Sequence, residues 1–288
     1  MDKLTQDFKT FATGQRVDLL GIAPIARFAD VSPQHHPCSI FPETKSVIVL
    51  GKRITRGSLR GVEEGTQFDI YGQYGQSWLI DRMLALCTIS LATYLEDLRW
   101  EAVPLQDLPP QVPPSGIPVK PNLPAPNVMV DTRDAAVRAG VGEIGYCDEL
   151  LTPQFGPRQR LQMILTDAVL TASPLLGKPV CDACGQCAKT CPLGAFAAGK
   201  SVTMTICGKS MKVAEVDYAI CRRCQNGAWP NPSHAAGLPD RLGALCVRSC
   251  LDHLERAGRV ENRFANDFRQ RAAWQRDIIG RPSLQQDS

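Results

Sequence analysis

A run of cysteines limits what this chain can fold into more than any other feature. Cys181-Asp-Ala-Cys184-Gly-Gln-Cys187-Ala-Lys-Thr-Cys191-Pro192 is followed by Cys221-Arg-Arg-Cys224 and by Cys246-Val-Arg-Ser-Cys250. Nine of the twelve cysteines lie between 181 and 250. The opening Met1-Asp2-Lys3-Leu4-Thr5-Gln6-Asp7-Phe8 shows neither the apolar region of a secretory leader nor a twin-arginine pattern. A reducing, cytoplasmic setting is therefore expected, where disulfides are rare and dense thiols point to metal. Zinc wants four ligands in paired knuckles, and the first run has one cysteine too many locally.

C-x2-C-x2-C-x3-C-P is the run of bacterial ferredoxins, in which the fourth cysteine ligates the other cluster of a pair. Crossing the fourth positions assigns Cys181, Cys184, Cys187 and Cys250 to one [4Fe-4S] cluster. Cys191, Cys221, Cys224 and Cys246 then hold a second. Two features depart from the pattern: Leu251, not proline, follows Cys250, and Cys207 is an alternative ligand. The competing arrangement is one cluster closed by Cys191, with a zinc site or free thiols besides. Cys87 reads as core, His35-His36-Pro37-Cys38 as a solvated loop, and Cys147 has no assigned role.

With 288 residues, 44% of them apolar, the chain can bury a large core. Thirty-two basic against 29 acidic residues leave no electrostatic footprint of a nucleic-acid partner. Residues 1–175 are expected as an α/β (α+β) domain for cofactor and substrate, 176–255 as a ferredoxin-like module, and 256–288 as a solvated helical tail with a frayed end. Strands are expected at 46–50, 100–103, 127–131 and 160–170. Leu79, Met83, Leu84, Leu91, Leu95 and Leu98 follow helical spacing, and charges interrupt the stretch, so 78–98 reads as a buried helix rather than a membrane span. Nine prolines between 104 and 126 exclude helix and central strand there and suggest a long ordered loop crossing a site.

Gly140-Val-Gly142-Glu-Ile-Gly145 matches a dinucleotide fingerprint literally. A helix (133–139) precedes it, where that fingerprint needs a strand, so the context is inverted. Together with Leu150-Leu-Thr-Pro-Gln-Phe-Gly-Pro-Arg-Gln-Arg160, Ile164-Leu-Thr-Asp167 and the cysteine run, the segment resembles the family of epoxyqueuosine reductases and reductive dehalogenases. The resemblance implies a nitroreductase-like three-layer core, a C-terminal ferredoxin-like two-cluster module, and a cobalamin held base-off. By matching positions it implies that Gly142, Gly145, Thr152, Phe155, Gly156 and Arg158 line the cofactor cleft, and that Arg158 or Arg160 binds a phosphate. It places the proton donor at Asp131, with Asp134 as rival and Tyr146, Tyr71 or Tyr74 as alternatives. A low-potential electron donor such as ferredoxin or flavodoxin and a small-molecule substrate complete the expectation. Tyr146-Cys147 departs from the basic pair usual after the loop in epoxyqueuosine reductases. The alternative is an electron-transfer or reductive-activation protein that binds no corrinoid itself.

Overall fold

The computed structural model describes residues 2–277 and 279–284. It divides into two compact units, each assembled from three separated stretches. The first comprises Met1–Lys52, Ile80–Val141 and Arg160–Leu176; the second comprises Arg53–Leu79, Gly142–Gln159 and Gly177–Ser288.

The first unit is built on a four-stranded sheet, in the order Leu19–Pro24, Ser46–Arg53, Gln159–Thr166, Ala102–Leu105. The outer pairs are antiparallel. The Lys45 N–H donates to Thr166 O, and at the other end the Ile54 N–H donates to Arg158 O, so the middle pair is antiparallel too. Pro104 is tolerated because its strand is an edge. Ile22, Ile48, Leu50 and Ile164 share one core with Phe8, Ala12, Leu84, Leu91 and Leu95 of the helices Lys3–Gly14 and Ala85–Asp97. Phe11 stacks on Tyr94 at 4.4 Å. Successive strand residues face opposite ways, and a Cβ on Gly21 would lie 2.5 Å from Ala139 O. The helix Thr132–Arg138 therefore leads into the opposite face, giving helix, sheet and helix layers.

Several expectations are corrected. Residues 127–131 join no sheet among the described residues; Asn127 is left-handed (φ 64°), and the segment ends as a helix cap. The helix predicted from residue 78 begins near Tyr71 in π-type turns before its α-helical part. Glycines hid this start: a Cβ on Gly72 would lie 2.7 Å from the Trp229 ring. Leu79, Leu84, Leu91 and Leu95 are buried as their spacing implies, whereas Met83 and Leu98 are nearly half exposed. By length and composition alone, Tyr71–Asp97 is apolar enough to cross a membrane.

The second unit holds a long ribbon, Phe196–Ile206 against Lys209–Val216, and the helix Leu245–Arg256. The tail is not frayed over its described length. Phe268 is buried with Leu251, Tyr71 and Val62, and the Trp274 indole donates to Val62 O and Glu63 O. Glu63 is clamped by Arg248 at 2.7 Å and Arg269 at 2.5 Å. Burial alone would raise its carboxyl, but the two guanidiniums outweigh burial and hold it below its ordinary value of 4.5. That contribution is complete at neutral pH and is lost as pH falls from 4.5 through the lower folded value. Glu63→Ala, which strands Arg248, should cost about 3–5 kcal/mol, read as a lower urea midpoint whose deficit narrows in acid.

Candidate functional site

The second unit gathers eight cysteines into two pockets, four to each. Cys181, Cys184, Cys187 and Cys250 line one, together with Tyr146, Cys147 and His253. Cys191, Cys221, Cys224 and Cys246 line the other, with Pro192, Leu193 and Phe196. This sorting matches the crossed assignment. Cys207 lines neither; it sits with Gly208 in the ribbon's turn, both left-handed (φ 49° and 76°).

Each pocket has a local cause. Ala183 and Gly185 take left-handed backbone (φ 55° and 74°), which curls the first run so that three thiols face one point. The Tyr146 and Ala183 N–H groups both donate to Cys181 Sγ at 3.4 Å. A short helix, Gln186–Lys189, then carries the chain from Cys187 toward Cys191. Cys221 ends the helix Tyr218–Cys221, capped by Asp217. Cys246 and Cys250 come from one helix, Leu245–Arg256.

The sulfurs are not drawn in around a single ion. Among the described residues, ligand atoms of three or more His, Cys, Asp or Glu lie within 4.8 Å of one another only at Asp182, Cys184 and His253. Tetrahedral zinc, with Zn–S near 2.3 Å, needs sulfurs about 3.8 Å apart.

Two residues that the sequence reading missed shape these pockets. Glu143 is buried, and its carboxylate accepts from the Val180 N–H at 2.7 Å and the Cys181 N–H at 2.8 Å. Its other oxygen meets Lys209 Nζ at 2.8 Å. Glu143 thus ties the start of the cysteine run to the hairpin Glu143–Leu151. Arg241 is 2% exposed; it pairs with Glu149 at 3.0 Å and acts electrostatically on Cys246 and Cys221. Its buried Nε and Nη1 have no hydrogen-bond partner in the protein, which fits a guanidinium facing an anionic group. Glu143 sits at a non-glycine position of the glycine loop, and Arg241 belongs to none of the motifs above.

The residues matched to a corrinoid cleft are largely spent on the protein itself. A Cβ on Gly142 would meet Leu151 O at 2.4 Å, and one on Gly145 would meet Leu151 Cδ1 at 2.4 Å. These glycines let the two arms of their own hairpin close. The backbones of Thr152 and Gly156 bond to each other, and the Thr152 hydroxyl donates to Gln159 at 3.0 Å. Arg158 is 2% exposed and donates to Ile54 O at 2.7 Å and Asn262 at 2.8 Å; burial lowers its pKa to about 10. Phe155 is buried, and Arg160 is half-buried on its strand. Arg158 is a stitch across the second unit rather than a phosphate ligand. As placed, these residues do not form a cradle for a corrinoid.

The proton-donor candidates divide. Asp131 caps the helix Thr132–Arg138, accepting from the Arg133 and Asp134 N–H groups at 2.8 and 3.1 Å. Asp134 pairs with Arg138 at 2.5 Å, and burial still raises its pKa. Tyr146 lines the first thiol pocket, Tyr71 is buried with its hydroxyl on Asp240, and Tyr74 lies half exposed against Trp78. Asp107, two residues past the edge strand, went unnoticed. Its side chain reaches solvent, but the surrounding protein, and the Asp131 charge less strongly, push its carboxyl up to about 6. Arg133 and Arg160 act on it in the opposite sense.

No family model matches the chain. It is 30% identical over 121 residues to the tetrachloroethene reductive dehalogenase of Sulfurospirillum multivorans, covering 40% of this chain and 22% of that protein. The solved catabolic reductive dehalogenase NpRdhA superposes with a TM-score of 0.57 at 18% identity, over 84% of this chain and 31% of its own. The chain shares the fold of the matched part of a reductive dehalogenase. A further solved dehalogenase, described as B12-dependent, superposes at 0.53 with 17% identity, over 78% of this chain and 29% of its own. The chain thus spans about a fifth of its curated dehalogenase relative and under a third of the solved ones.

Two outcomes follow from this geometry. Glu143→Ala removes the charged acceptor of two buried N–H groups, worth about 1.5–3 kcal/mol each, so the apo chain should melt earlier than Glu143→Gln. In carbon-detected NMR, one aspartate carboxyl should titrate near pH 6 and be missing from Asp107→Asn.

Proposed function

We propose that this chain is an iron–sulfur reductase that holds two [4Fe-4S] clusters and moves single electrons from a low-potential donor, a ferredoxin or flavodoxin, into the reductive cleavage of a small substrate. The observation that carries this reading is the sorting of eight cysteines into two crossed pockets of four. Cys181, Cys184, Cys187 and Cys250 would hold one cluster, and Cys191, Cys221, Cys224 and Cys246 the other. Such clusters take up and release one electron at a time at potentials tuned by charge, burial and hydrogen bonds to sulfur. The 176–255 segment supplies all eight ligands, and the hairpin at 143–151 braces them. Thiols kept reduced for this purpose suit a cytoplasmic setting.

The dehalogenase fold brings a corrinoid into question as the group that meets the substrate. A specific observation favours a second reading, in which this chain only relays electrons to a corrinoid held elsewhere. Gly142, Gly145, Thr152, Gly156 and Arg158 are engaged within the chain. If the chain itself reduces substrate, Asp107, whose carboxyl is pushed up to about 6, is the candidate acid.

Anaerobic reconstitution with iron and sulfide tests the reading directly. Brown protein with about eight irons per chain is expected, and Cys246→Ser should fall to about half that number. Stoichiometric zinc with no iron overturns it. A cobalamin spectrum that changes on adding wild-type protein under reducing conditions selects the corrinoid-holding form; an unchanged spectrum selects the relay.

A further inference from the structure

The first thiol pocket contains five cysteines, one more than a cubane uses. The fifth is Cys147, at the tip of the hairpin whose strands Glu143–Ile144 and Leu150–Leu151 pair. Asp148 beside it is left-handed (φ 55°), and its N–H donates to Gly145 O at 2.9 Å. This tight turn directs the Cys147 side chain inward, where it is 1% exposed and lines the pocket beside Cys250. Arg241 Nη2 donates to Cys147 O and Asp148 O, both at 2.9 Å, which holds the turn in place.

Resting on the two-cluster reading above, we infer that Cys147 and Cys250 are interchangeable closing ligands of the first cluster, so that either the hairpin or the helix Leu245–Arg256 can complete it. Both side chains are buried, and both line the pocket with Cys181, Cys184 and Cys187. The exchange balances without outside help. The iron–sulfur bond to Cys250 breaks and one to Cys147 forms, and the proton that Cys147 gives up is taken by the released Cys250 thiolate. No electron moves and the charge of the site is unchanged. Cysteine spacing could not show this, because Cys147 lies 34 residues before the run begins.

The test uses the full chain, reconstituted anaerobically, with iron counted and the dithionite-reduced EPR spectrum recorded. Wild type at about eight irons establishes the underlying reading; about four removes that reading itself. Given eight, Cys250→Ala keeps about eight because Cys147 closes the cluster, and Cys147→Ala keeps about eight through Cys250. The double variant falls to about four. Far-UV circular dichroism checks the fold of each, and Cys250→Ser repeats the measurement. Half the iron in a folded Cys250→Ala or Cys250→Ser overturns the inference, as does a double variant that keeps all of it. Loss of the fold in both single Cys250 variants also overturns it, since an exchangeable ligand would hold the pocket closed.

Discussion

Cys246 and Cys250 stand four residues apart on one helix, about 6 Å along its axis and on the same face. Each closes a different pocket. One turn of helix therefore sets the register of both sites, and any slide or rotation of that helix would open both together. Arg248 lies between the two cysteines and is wholly buried. It reaches Glu63, the Asn226 carbonyl and side chain, and Gly243 O. A hydrophobic residue at that position could fill the volume, but it could not hold four acceptors from three stretches of chain at once. The buried ion pair is costly to assemble, and the observed geometry shows what that cost secures: a fixed position for the ligand-bearing helix.

The electrostatics of the pockets follow from the same burial. The neighbouring Cys147, then burial, raises the Cys250 thiol; burial raises Cys246, and it pushes Cys221 up to about 11. Metal binds thiolate, not thiol. Loading the pockets must therefore release protons. Arg241 opposes burial at Cys246 and Cys221, and its two unpartnered buried donors would otherwise be a standing cost. Beside an anionic cluster of the kind proposed above, that cation would be favourable. Arg241 also holds the hairpin turn that carries Cys147, so one side chain links the electrostatics of the second pocket to the geometry of the first.

The thiol pockets were legible in the sequence because ligand spacing is a short-range constraint: a C-x2-C-x2-C loop can point its sulfurs one way regardless of the rest of the fold. The sheet was legible for a similar reason, since Val47–Leu50 and Met163–Leu165 are continuous apolar runs that must be buried. The illegible parts depend on contacts distant in sequence. Glu143 reaches Cys181, Arg248 reaches Glu63 and Trp274 reaches Val62, and no local pattern distinguishes these charges and rings from surface residues. Asn127–Asp131 misled because Val-Met-Val satisfies a strand pattern, while the sheet offers it no edge among the described residues.

The glycine loop shows how one chemical requirement can have two meanings. Gly142 and Gly145 do lack a side chain because something approaches closely. Sequence suggests a cofactor, since glycine-rich loops so often admit one. In the fold, the approaching atoms are Leu151 O and Leu151 Cδ1, the return strand of the same hairpin. That hairpin then presents Glu143 to Cys181 on one side and Cys147 to Cys250 on the other. The closeness the glycines permit is still functional in its effect, at one remove. A bulkier hairpin would stand further from the cysteine run, and both the carboxylate clamp and the fifth thiol would be carried out of reach of the first pocket.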